Sequence, residues 1–310
     1  MPPQFRCIAV PDPNPALCQY ASRLAPYSGQ AITFHDTQPK DTTEFVSRCQ
    51  GADCVLIGWA STMSRATLES LPDLRYIGLA CTLFPGACNV DLTCARERGV
   101  SVRGVGDYGD VGVVEFVAMQ CILHCQRHSP PTELRGRRVG VVGAGQLGTK
   151  VALALQGLGA NVAYYSRSKA RPVLDDAGIP RLSLTDLMAS CDILTLHIPR
   201  DTVVVDRDTL GLFKGGLVIN TSLGLPVDCG AMHEWLTQEG HHLAADHDGL
   251  GTLPASVRDL PGVSYYPYYS GFTQEAVSRL VGGVVTNMAA HLQREGGAEA
   301  ERQPPVFENG

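Results

Sequence analysis

The chain has 310 residues, 44% of them hydrophobic, enough to fill two ordinary cores. A formal charge of −6 gives no electrostatic footprint for nucleic acid or an anionic membrane surface. The start, MPPQFRCIAVPDPNP, lacks the pattern of a signal peptide, and no stretch reaches the roughly 20 apolar residues of a membrane span.

In chain order, short apolar runs alternate with longer amphipathic ones. FRCIAV, AITFH, DCVLIG, RYIGLA and VSVRG come first. RRVGVVG, NVAYYS, DILTLHI, GLVINT, HLAAD and GVSYY follow. Helical segments lie between most of these runs, and such alternation predicts an α/β fold with doubly wound parallel sheets. The apolar stretch 111–125 is interrupted by Glu115, Gln120 and His124, so it reads as a buried helix. A break falls across 127–134, where Pro130 and Pro131 stop that helix. The boundaries expected are a first domain over 1–108, joined by 273–310, and a second over 109–272. The last helix, 273–294, is long enough to return to the first domain. The tail after Gly296 is rich in Gly, Glu and Pro and reads as mobile.

The 11 cysteines are scattered without paired spacing, and most sit in apolar runs. This points to free thiols in a reducing, cytoplasmic setting. Cys121, His124, Cys125 and His128 have helical spacing, but Cys121 and Cys125 fall on one face of a core helix. No CxxC or HExxH occurs, so no metal site is expected.

The richest stretch runs from the strand RRVGVV into Gly143-Ala144-Gly145-Gln146-Leu147-Gly148 and then into an Ala- and Leu-rich helix. Gly143 suits a tight turn, Gly145 an approach to a pyrophosphate, and Gly148 close helix–strand contact. Placed between a strand and a helix, the motif predicts dinucleotide binding. Beyond the next strand, NAD enzymes often carry an acid for the ribose 2′-hydroxyl. Here that place holds Ser166, Arg167, Ser168 and Lys169. Two hydroxyls and two cations suit a 2′-phosphate, so NADP(H) is expected over NAD(H).

Several longer motifs accompany the glycines: YIGLA with NVDLTCARERGV (76–100), GVVEFV (112–117), LRGRRVGVVGAGQLG (134–148), LHIP (196–199), KGGLVINTS (214–222) and a turn at 267–271. With these the chain resembles the D-isomer-specific 2-hydroxyacid dehydrogenases, which include glyoxylate and hydroxypyruvate reductases. The resemblance implies two Rossmann-like domains, an active site in the cleft between them, and a last helix that returns to the first domain. It also implies cofactor contacts from His197, Ile198 and Pro199, from Thr221, Ser222 and Leu223, and from Asp246 near the nicotinamide. A homodimer is compatible with it, although the segment before the glycine motif is shorter than the family's dimer arm.

The family's chemical residues do not carry over. Its carboxylate-binding Arg falls at Leu223, its orienting Glu at Gly249, and its catalytic His at Tyr268. Its compact first-domain loop is expanded here to ACTLFPGAC (80–88). Leu cannot bind a carboxylate, and an unpaired buried carboxylate would cost several kcal/mol. Tyr268 is neutral near pH 7 and can donate a proton or hydrogen bond, which favours the reductive direction. Catalysis and aromatic packing both remain open for Tyr268. His247 and Asp248, following Asp246, are candidates for a proton donor or for rim residues. Cys81, Thr82 and Phe84 are candidates to shape a substrate pocket. The chain therefore reads as an NADP-dependent reductase of a carbonyl, imine or activated alkene, or as a non-catalytic nucleotide-binding protein.

Overall fold

The computed structural model describes residues 4–83, 88–167, 170–200, 202–295 and 307–309. The chain divides into two compact units, Met1–Tyr108 with Gln274–Gly310, and Gly109–Thr273. Each is built on one six-stranded, all-parallel sheet.

In the first unit the strands are β1 (Ile8–Val10), β2 (Thr33–Phe34), β3 (Cys54–Ile57), β4 (Tyr76–Leu79), β5 (Ser101–Gly104) and β12 (Phe307–Asn309), in the order β12-β5-β4-β3-β1-β2. β1, β3, β4 and β5 are buried at every position, as expected of a parallel sheet covered on both faces. The long helix Gln274–Glu295 covers one face through Val277, Leu280, Val281, Val284, Met288 and Leu292. A Cβ at Gly283 would lie 2.5 Å from Val105, so this helix packs at glycine distance. Asn287 is 2% exposed, and its Nδ2 donates to the Gly104 carbonyl at 2.9 Å. The helix thereby closes the end of β5. Strand β12 was not expected, since the tail had read as mobile. It pairs in parallel with β5, Phe307 opposite Val102.

In the second unit β6 (Arg138–Val142), β7 (Asn161–Tyr165), β8 (Ile193–Leu196), β9 (Leu217–Asn220), β10 (His242–Ala245) and β11 (Val263–Tyr265) stand in the order β11-β10-β9-β8-β6-β7. One core packs helices Asp110–Gln126 and Gln146–Gly157 against the sheet. The other packs Leu184–Ser190, Arg207–Leu212 and Cys229–Leu236 against its opposite face. Cys121 and Cys125 are buried in the first of these cores. All eleven cysteines are free thiols, and among the described residues no helix is long and apolar enough to cross a membrane.

Replacing Asn287 with Ala leaves the Gly104 carbonyl buried without its donor. We expect Asn287→Ala to lower the free energy of unfolding by about 1–3 kcal/mol, read from chemical denaturation, with the far-ultraviolet dichroism of the folded protein unchanged.

Candidate functional site

In both sheets the strand order reverses at one point, and in open α/β sheets the crevice beyond the carboxyl ends at that point is where ligands bind. In the second unit the reversal lies between β6 and β8. There Gly143 has φ +96°, and a Cβ on it would sit 2.2 Å from the His197 carbonyl oxygen. A Cβ on Gly148 would sit 2.0 Å from the Gly143 oxygen, whereas one on Gly145 would meet nothing within 4 Å. Gly145 is therefore open space at the mouth of the turn. It is also the cap of helix Gln146–Gly157 and offers no side-chain hydrogen bond to the first-turn amides. Asp41, Ser64, Asp91, Ser183, Asp206 and Asp228 do cap their helices. The glycine turn fits the pyrophosphate of a dinucleotide: first-turn amides without a side-chain cap, the positive end of a helix, and no Cβ in the way. Gln146 is exposed at this end, and Leu147 packs on the core.

The walls of this crevice come from the loops after β8 and β9. The His197 ring meets the Thr195 hydroxyl at 2.9 Å, its Nδ1 is shut from solvent, and burial pushes it down to about 4. It is a neutral imidazole whose carbonyl shapes the turn. Ser222 accepts a hydrogen bond from the Ile198 amide at 3.1 Å and donates to the Leu196 carbonyl at 3.1 Å. Ser222 thus ties the two loops together. The Thr221 hydroxyl is buried without a partner, Pro199 is exposed, and Leu223 is 40% exposed.

Asn220, missed in the sequence, organises this edge. Its Nδ2 donates to the carbonyls of Gly224 (2.9 Å) and Gly249 (2.7 Å), and its Oδ1 accepts from the Ser222 amide. A Cβ on Gly249 would lie 2.4 Å from the Asn220 carbonyl oxygen. Hence no side chain fits where the family resemblance would place a Glu.

At the adenosine end, Ser166 is buried and Arg167 exposed; Ser168 and Lys169 lie outside the described residues. The Ser166 carbonyl accepts from Arg181 Nη2 at 2.7 Å. Arg181 lies 15 residues further along the chain, and the bridge between Tyr164 and Arg181 brings it here.

Beyond β10, Asp246 is 4% exposed and its Oδ2 accepts from the Ser270 amide (3.0 Å) and hydroxyl (2.7 Å). Burial raises its carboxyl, with Ser270 pulling it back down. His247 and Asp248 are brought into one contact, His247 Nδ1 to Asp248 Oδ1 at 2.9 Å. Tyr269 stacks on the imidazole at 4.4 Å, and Arg200 lies 3.6 Å from the other Asp248 oxygen. The Tyr268 ring is half exposed, edge-on to Tyr266 at 5.8 Å. Burial raises its phenol, followed by Tyr266 and Asp246, so it is a neutral donor. Its backbone carbonyl accepts the His247 amide at 3.1 Å.

In the first unit the reversal lies between β1 and β3. Asp12, just after β1, is 1% exposed, and its Oδ2 accepts from the Gly58 amide at 3.3 Å. Its Oδ1 is shut from solvent without a partner of hydrogen-bond geometry. The sequence reading passed over Asp12, although a single acid directly after a buried strand was visible there. Cys81 is buried and its thiol pushed up to about 12, by burial first, which rules it out as a nucleophile near neutral pH. The Thr82 hydroxyl donates to the Val105 carbonyl at 3.2 Å. Phe84 lies outside the described residues.

The two windings and the glycine turn define a doubly wound nucleotide-binding architecture. Residues 116–268 match the family described as D-isomer specific 2-hydroxyacid dehydrogenase, NAD binding domain. The chain is 27% identical over 222 residues to a hydroxypyruvate reductase of Blautia hydrogenotrophica, covering 63% of this chain and 67% of that protein. It is 29% identical over 287 residues to a D-3-phosphoglycerate dehydrogenase of Mycobacterium tuberculosis, covering 84% of this chain and 53% of the relative. The chain thus spans about half the length of that longer relative. Its fold is also that of an acyclic imino acid reductase solved with NADPH and D-Arg, with a TM-score of 0.73, 21% identity, and 97% and 98% of the two chains covered. Residues 116–268 thus carry the NAD-binding domain of the D-isomer-specific 2-hydroxyacid dehydrogenases.

Burial raises the Asp12 carboxyl from its ordinary 3.8, against the pull of Ser61 and the Gly58 amide. The folded protein therefore favours the neutral form. That contribution to stability is complete below the unfolded value and is lost as pH rises through the raised folded one. Asp12→Asn cannot ionise, so its melting temperature relative to wild type should climb as pH rises from near 3.8. Thermal scans across acidic to neutral pH check this, and a gap independent of pH would contradict it.

Proposed function

We propose that the chain is an NADP(H)-linked reductase that delivers hydride to a carbonyl, imine or activated alkene. The observation that carries the reading is the 2.9 Å contact between His247 and Asp248 at the carboxyl edge of the glycine-turn sheet. An aspartate on Nδ1 fixes the tautomer, which leaves Nε2 to pass a proton. Asp248 orients this ring, and Tyr269 holds it flat. Tyr268 donates a hydrogen bond to the anion that forms as hydride arrives.

The substrate does not place a carboxylate on residue 223, because a half-exposed Leu223 offers it no donor. The nicotinamide cofactor, when bound, supplies the hydride. Gly143, Gly145 and Gly148 hold its pyrophosphate, and Asp246 and Ser222 keep the adjoining loops in place. A second reading, a nucleotide-binding protein without catalysis, draws on the lack of room at Gly249 for an orienting acid. Val111, Met119, Ile122 and Leu123 are exposed along helix Asp110–Gln126, which favours a homodimer.

His247→Gln should lower turnover by about 10²–10⁴-fold while leaving cofactor affinity within twofold of wild type, about 0.4 kcal/mol. The measurement is steady-state NADPH oxidation over a panel of carbonyls, imines and activated alkenes, with cofactor binding followed by fluorescence. An unimpaired His247→Gln enzyme would remove the dyad from the chemistry, and wild-type inactivity on the whole panel would favour the second reading.

NADPH should bind more tightly than NADH. A charged hydrogen bond contributes about 1.5–3 kcal/mol, so Arg167 and Arg181 can each give on the order of a ten- to hundredfold preference for the 2′-phosphate. Titration of both cofactors against wild type, Arg167→Ala and Arg181→Ala tests this. NADPH affinity should fall in each variant with NADH affinity unchanged; equal wild-type affinities would overturn the preference.

A further inference from the structure

At the amino edge of the second sheet, opposite the glycine turn, lies a cavity of about 180 Å³. Its lining includes His124, His128, Arg137, Asp192, Lys214 and Gly216. His124 is 8% exposed, and its Nδ1 is buried with no hydrogen-bond partner. A Cβ on Gly216 would come 3.1 Å from its Cε1 and 3.4 Å from its Nε2. Glycine at 216 therefore leaves this ring edge uncovered. His128 and His242 meet the same ring at centroid distances of 5.1 and 5.8 Å.

The charges around this ring are lopsided. His128 and Arg127 follow it at the helix end, Arg137 precedes β6, Lys214 precedes β9, and His241 and His242 stand at β10. Asp192 is the one carboxylate of the lining, and Arg138 occupies both its oxygens, at 2.6 and 3.3 Å. Among the described residues no carboxylate lies at ion-pair distance from the Arg137 guanidinium or from Lys214, whose Nζ donates to the Gly211 carbonyl, although the Arg137 charge, after Arg138, helps hold the Asp192 carboxyl down. The helix-end carbonyls of His124 and Cys125 accept from the Arg127 and Thr132 amides and from His128 Nδ1.

We propose that this cavity binds a tetrahedral oxyanion, phosphate or a phosphate monoester, held by Arg137, Lys214 and the imidazoles of His124 and His128. Binding there is separate from the dinucleotide cradle, because the strands are parallel and the two sites lie at opposite ends of them. Empty, the cavity keeps His124 neutral: burial, then His128, His242, Arg127 and Arg137, pushes it down to about 4. An anion beside the ring reverses the repulsive part of that effect and favours the imidazolium, which gains a charged hydrogen bond. Anion binding therefore takes up protons and strengthens as pH falls.

Inorganic phosphate, titrated into the full chain at ionic strength held constant with chloride, reads this directly through the imidazole NMR signals of His124 and His128. We expect saturable shifts, and the His124 ring should take up its proton at a higher pH with phosphate bound than in its absence, where burial and its basic neighbours hold it at about 4. Arg137→Gln and Lys214→Gln should each weaken binding by about tenfold or more, the loss of one charged hydrogen bond. Phosphoethanolamine in a parallel titration separates the sources: tighter binding than phosphate assigns a phosphorylated metabolite, weaker binding the free anion. Saturating NADPH should leave the phosphate affinity unchanged. No saturable response beyond chloride, full affinity in both variants, or displacement by NADPH would overturn the proposal.

Discussion

Three stretches of backbone meet at one point in the second unit, and the site follows from that contact. The His197 carbonyl lies where a Gly143 side chain would begin, and the Gly143 carbonyl lies where a Gly148 side chain would begin. Only hydrogen fits at either place, and Gly143 also needs its positive φ. The contact draws the carboxyl end of β8 against the turn after β6 and starts the next helix close beneath it. First-turn amides without a side-chain cap then face open space at Gly145. The first unit has the same winding and the opposite polarity. There Asp12 takes the Gly58 amide, and the following short helix begins with Pro15 and is capped by Asn14. Amides already engaged, beside an acidic side chain, give a pyrophosphate nothing to bind. One topology thus yields two unlike crevices.

A second hub is Asn220, at the end of β9. One side-chain amide holds Gly224, Gly249 and Ser222 together, so the loops after β9 and β10 share a single donor–acceptor set. Ser222 passes the constraint to β8 through Ile198 and Leu196, and Asp246 passes it to Ser270. The segment at Ser270 and Gly271 in turn lies so close to Gly109 and Gly112 that a Cβ on either would fall 2.6 Å or less from a carbonyl oxygen. The loops around the crevice are therefore fixed by buried polar bonds and glycine contacts as well as by the apolar packing of Ile198, Leu225, Leu250 and Leu253.

How much of this could be read in the sequence depends on the range of each interaction. The eleven apolar runs all became strands; the inner ones are buried on both faces and so apolar throughout, whereas β2, β7 and β11 are only partly covered, and the observed strands are shorter than the runs, since the ends peel into loops. The glycine turn was legible because its three glycines fall within six residues, although the His197 carbonyl that closes on Gly143 comes from the loop after β8. Arg181 was not, because a β-bridge to Tyr164 brings it beside Ser166. Nor was β12, since three residues pairing with a distant strand leave no periodicity to detect. The Gly249 departure was visible as a missing acid, but its cause, the Asn220 carbonyl, belongs to another strand.

That cause bears on the proposed chemistry. An acid–base imidazole needs a carboxylate on one nitrogen and access on the other. With position 249 closed by backbone, no acid can reach the ring from there, whatever residue stands at 268. A neighbouring pair avoids the obstacle: His247 and Asp248 are adjacent in sequence, and the bend after β10 folds the carboxylate onto Nδ1. Adjacent residues hold each other loosely, so such a pair needs outside support. Tyr269 supplies it by stacking on the imidazole, Arg200 by approaching the carboxylate, and the Tyr268 carbonyl by accepting the His247 amide. On the proposed reading, the aromatic run 265–269 divides its labour: Tyr269 holds the imidazole, while Tyr268 is left half exposed with its hydroxyl free to meet a substrate.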